Sequence, residues 1–64
     1  MRIDELKVGR PVRCPADRGE PGFAGKIVGF STQENKTSTG VTYVWVEVQG
    51  PHHKSVWPSN RLGY

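Results

Sequence analysis

Cysteine is nearly absent from this 64-residue chain: Cys14 stands alone, so no intrachain disulfide can staple the fold. That fits a reducing compartment, and a cytoplasmic location is the expectation. Long apolar runs are also missing, and nothing approaches the ~20 residues of a membrane-spanning helix. The opening Met1-Arg2-Ile3-Asp4-Glu5-Leu6 carries acid early and few apolar residues, unlike a signal peptide. Acidic residues are the minority charge, six against nine basic, which leaves a formal net charge of +3. A field of that sign favours a polyanion such as DNA or RNA, while serving plain solubility as well. No stretch sustains a 3.6-residue apolar period. The best helical segment, residues 3–8, is stopped within about two turns by Gly9 and Pro11.

What the chain does have is turn chemistry: eight glycines and five prolines punctuate short apolar runs. Strands are expected at residues 11–14, 23–31, 41–48 and 53–57, with a short closing strand at 61–64. The third is the clearest. In Val41-Thr42-Tyr43-Val44-Trp45-Val46-Glu47-Val48 one row is aliphatic (Val44, Val46, Val48, with Thr42), and the other carries Tyr43, Trp45 and Glu47. Successive strand side chains point to opposite faces, so this strand has a core side and a side that can meet a partner. Gly25 and Gly29 in the second strand mark a bend or a close backbone approach. Residues 15–22 form a charged loop, residues 32–40 a polar, mobile hairpin loop, and Pro58-Ser59-Asn60 a tight 3₁₀ turn. The expected core is Val12, Ile27, Val44, Val46, Val56 and Leu62. These segments predict an all-β fold: one domain over residues 1–64, a single small five-stranded antiparallel barrel with a 3₁₀ turn before the last strand.

Two stretches resemble known families. Residues 7–12, Lys-Val-Gly-Arg-Pro-Val, and residues 22–30, Gly-Phe-Ala-Gly-Lys-Ile-Val-Gly-Phe, look like the opening of SH3-like barrels, including KOW and Tudor-like modules. Residues 56–62, Val-Trp-Pro-Ser-Asn-Arg-Leu, are similar to the end of eukaryotic SH3 domains. The resemblance implies an SH3-like barrel and no particular activity. The early Ala-Leu-Tyr-Asp-Tyr segment and Trp-Trp pair of peptide-binding SH3 domains are missing, and Arg61 stands where their groove tyrosine would be. Residues 25–30 also resemble the second strand of the plasmid-encoded type II dihydrofolate reductases, which build one pore as tetramers. Their pore-lining Val-Gln-Ile-Tyr segment is replaced by Lys54-Ser55-Val56-Trp57, so the activity does not carry over.

Candidate sites follow from residue type. Tyr43, Trp45 and Trp57, with Arg13, Lys26, Lys54 and Arg61, combine stacking rings with cations, the pairing that single-stranded nucleic acid requires. The same aromatics equally suit a protein partner or self-association. His52 and His53 are adjacent and diverge in extended backbone. With Cys14 they match no zinc spacing, so no metal is expected. Cys14 reads as a small core residue rather than a nucleophile. Residues 19–26 fail as a phosphate-binding P-loop, because the glycine spacing is one residue too long and Ile27 stands where Ser or Thr is needed. No acid–base carboxylate pair or nucleophile triad is present, and no cofactor is expected. The balance points away from an enzyme, with an oligomeric pore enzyme as the remotest reading. The expectation is a non-catalytic binding module for nucleic acid, alternatively for protein or a second copy of itself.

Overall fold

The computed structural model describes every residue except Arg18 and Tyr64. It is all-β, with two antiparallel sheets. The strands are β1 (Pro11–Cys14), β2 (Phe23–Phe30), β3 (Asn35–Lys36), β4 (Thr42–Tyr43), β5 (Trp45–Gln49) and β6 (Lys54–Pro58). The larger sheet has the order β1-β2-β5-β6, and β3 pairs with β4 in a small ribbon. The expected helix over residues 3–8 shrinks to one 3₁₀ turn, Ile3–Glu5, and the expected tight turn after β6 is the 3₁₀ turn Ser59–Arg61. No helix among the described residues is long and apolar enough to cross a membrane.

Three strand expectations change. The third strand is interrupted at Val44, so residues 42–43 join β3 while residues 45–49 join the main sheet. The polar loop 32–40 contributes β3, and its turn closes where Gly40 N–H donates to Thr37 O at 3.0 Å. The fifth strand is reduced to one bridge. Arg13 N–H donates to Gly63 O at 3.0 Å and Gly63 N–H returns to Arg13 O at 2.9 Å. Tyr64, the last residue of that expected strand, lies outside the described residues. Among the described residues the ladder does not close into a five-stranded barrel; it forms a four-stranded sheet and a two-stranded ribbon.

The core is aliphatic and small: Leu6, Val12, Cys14, Ile27, Val44, Val46, Val48 and Leu62. The alternation of β5 accounts for Val46 and Val48, both fully buried, between exposed Trp45, Glu47 and Gln49. Each such aliphatic stabilises the fold by about 1.5–3 kcal/mol relative to exposure. Gly25 permits the tight packing of β2 on β5. A Cβ there would stand 2.6 Å from Gln49 O and 2.7 Å from a Val48 methyl. The bend expected near Gly29 is a register shift between Ile27 and Gly29.

Val56 is not in the core. It is 59% exposed. The β5–β6 hairpin closes with Gly50 N–H donating to His53 O at 2.9 Å, which pairs Val56 with Glu47 on the outer face. Trp57 pairs with Val46 instead and packs against the core.

Candidate nucleic-acid interface and the groove behind it

Register fixes which side chains share the outer face of the main sheet. Pro11 opposes Lys26, Lys26 opposes Gln49, and Gln49 opposes Lys54, so these four form one row across all four strands. Lys26 and Lys54 flank Gln49 from two strands apart, about 10 Å at ~4.8 Å per strand spacing. Arg13, two residues beyond Pro11 on β1, is exposed on the same face. Glu47 lies one step along β5 and opposes Val56. Trp45 follows, opposite Pro58, with nearly half of its surface exposed. Trp45 sits four residues from Gln49, about 13 Å at the ~3.3 Å rise of a strand.

Tyr43 belongs to this surface through β4. Its ring meets Trp45 edge-to-face, with centroids 5.6 Å apart and planes at 89°. Aromatic pairs favour that geometry, which braces the Trp45 ring while nearly half of the residue stays exposed. The only carboxylate in the outer row of β5 is Glu47, 3.8 Å from Lys54 Nζ in an exposed ion pair. Such a pair is worth roughly 0–1 kcal/mol.

Trp57 does not join the outer surface. It lies on the opposite side of β6, half-buried, and its Nε1–H donates to Ser55 Oγ at 2.8 Å. Its ring packs edge-on against Phe23 with centroids 6.2 Å apart. Trp57 and Phe23 form one wall of a groove of about 500 Å³ between loop 15–22 and the Gly50-Pro51-His52-His53 turn. Arg61 is exposed at the end of the second 3₁₀ turn, where it shares a shallow depression with Arg13 beside Gly63. The structure therefore gathers Arg13, Lys26, Tyr43, Trp45 and Lys54 on one face, sets Arg61 beside Arg13, and places Trp57 elsewhere.

Cys14 is buried at the end of β1, and burial pushes its thiol above the ordinary value of 9.0. A nucleophilic cysteine needs the opposite shift. No group of three or more His, Cys, Asp or Glu among the described residues is arranged to hold a metal ion.

Sequence reasoning missed the groove and the role of Ser59. Ser59 is the one buried polar side chain among the described residues, and its Oγ accepts the Val44 N–H at 3.1 Å. The signal for the groove was present in the two prolines and two carboxylates of the first loop, but nothing local tied them to Phe23 or Trp57. Compared with protein-family models, curated proteins and solved structures, the chain matches none.

Proposed function

We propose that this protein is a non-catalytic binding module that associates with single-stranded nucleic acid, DNA or RNA, through the outer face of its main sheet. The observation that carries the reading is the common placement of exposed Trp45, Lys26, Lys54 and Arg13 on one face, with half-buried Tyr43 against Trp45 and Glu47 as the carboxylate of the β5 row. An exposed indole offers a stacking platform worth about 1–3 kcal/mol per base. The cations continue along the same face and meet phosphates, with Arg61 extending the track past Arg13. The sheet order, the 3₁₀ turn and the Arg13–Gly63 bridge support an SH3-like arrangement in which Gly63 pairs with the outer edge of β1.

A second reading has its own observation. Trp45, Pro58 and the 59%-exposed Val56 form an apolar strip on the same face, which suits self-association.

Titrating an oligothymidylate or a polyuridylate of similar length against the protein at several salt concentrations separates the two. Three or four phosphate contacts predict a slope of log K on log salt of about −2 to −3 for a single strand. Binding that ignores salt, or no binding at low salt with concentration-dependent dimerisation, contradicts the nucleic-acid reading.

A further inference from the structure

The two edges of the main sheet differ. On β1, Arg13 turns its backbone N–H and carbonyl away from β2, and Gly63 takes both, at 3.0 and 2.9 Å. Outward backbone groups recur at every second residue of a strand, so the next is Pro11, which has no N–H to offer. The β1 edge is closed to a further strand.

β6 is the other edge, and no strand among the described residues pairs with its far side. Its bonding pattern is fixed at both ends: Gly50 N–H donates to His53 O at 2.9 Å, and Ser59 N–H to Val44 O at 2.9 Å. Between them Ser55 and Trp57 aim their backbone groups at β5. Lys54 and Val56, both exposed, each turn an N–H and a carbonyl outward, and Pro58 turns out a carbonyl. An open row of this kind is a template for one more strand.

We propose that a second copy of this chain supplies that strand: two β6 edges pair antiparallel about a two-fold axis at Val56, joining two four-stranded sheets edge to edge. The strand is self-complementary in this register. Val56 exchanges a pair of hydrogen bonds with the partner's Val56, and Lys54 N–H donates to the partner's Pro58 carbonyl, the one group that proline presents. Val56 and Pro58, with Trp45 opposite Pro58, form an apolar strip on the outer face. The two-fold axis sets the two valines side by side and makes the two strips continuous, which favours a second copy over an unrelated peptide. Moving the axis to Ser55 sets Lys54 against Val56 and breaks the strip. With β1 closed, each main sheet has one open edge, so this contact closes at two chains. The proposal rests on the self-association reading, to which it gives a contact surface, and the nucleic-acid reading keeps its own separate test.

The test combines sedimentation equilibrium with amide hydrogen exchange on the ¹⁵N-labelled full chain, from about 10 µM to about 2 mM, the span of a weak contact. The mass is expected to approach two chains and to rise no further. The Lys54 and Val56 amides are expected to exchange quickly in dilute protein and to slow about tenfold when about nine-tenths of the chains are paired, since only free chains expose them. Val56→Pro removes the central N–H without touching a bond to β5, and Val56→Lys sets two cations across the axis. Each is expected to weaken association about tenfold or more. Unchanged Ile27 and Val46 amide signals verify the fold of each variant, and V56K decides alone where V56P loses them. A monomer throughout the range overturns the proposal together with the self-association reading. Dimers whose Lys54 and Val56 amides stay unprotected, dimers that both variants leave intact, or assembly beyond two chains overturn the edge pairing and leave self-association standing.

Discussion

Ser59 shows how one side chain decides a local path of the backbone. The β5–β6 ladder extends one step further, where Ser59 N–H donates to Val44 O at 2.9 Å. The reciprocal bond does not use the Ser59 carbonyl. That oxygen instead receives the Met1 ammonium at 3.0 Å and Leu62 N–H at 3.3 Å. The hydroxyl substitutes for it by accepting from Val44 N–H. This is the physical reason the strand breaks at Val44, between Tyr43 and Trp45. Replacing Ser59 with Ala removes the acceptor and leaves a buried N–H unpaired, at a cost of about 1–3 kcal/mol. The expected fall in Tm is at least ~4 °C, at the 4–8 °C per kcal/mol typical of small domains. A thermal melt of S59A indistinguishable from the parent would show that the bond contributes nothing.

At the scale of elements, strong alternation was legible and weak alternation was not. Residues 44–48 alternate cleanly, and Val44, Val46 and Val48 are buried as that pattern requires. Val12, Ile27 and Leu62 were equally readable because polar residues, glycine or a solvent-facing side chain stand on each side of them. Lys54-Ser55-Val56-Trp57 offers two adjacent apolar residues and no period to choose between them. The hairpin loop makes the choice. It pairs even positions of β6 with odd positions of β5, which sends Trp57 inward and Val56 outward. The candidate site inherits this limit: the rows of β5 identified Tyr43 and Trp45, while the membership of Trp57 depended on a register that composition does not encode. Truncation separates the two valines. Val46→Ala empties fully buried space and is expected to cost about 1–3 kcal/mol, whereas Val56→Ala, on the surface, should stay within ~0.5 kcal/mol. Equal destabilisation of both variants in urea unfolding would contradict the register.

For the molecule as a whole, the sheet separates two chemistries that the sequence interleaves. Basic and acidic residues are interspersed along the chain, so the modest net charge of +3 hides the sorting. Pairing of strands places Arg13, Lys26 and Lys54 on the outer face with Trp45, while the first loop carries Asp17 and Glu20 to the groove. Strand order also explains why these positions, far apart in sequence, form one continuous surface: β2 and β5 are central neighbours, flanked by β1 and β6. The central claim is that the outer face, and not the groove, receives nucleic acid. Its most direct test is an amide and indole chemical-shift titration with a short oligothymidylate at low salt. The outer-face account predicts shifts at the Trp45 indole and at the Lys26, Gln49 and Lys54 amides, with the Trp57 indole unmoved. Shifts centred on Trp57 and the Gly50–His53 turn, or no shifts at all, would contradict it.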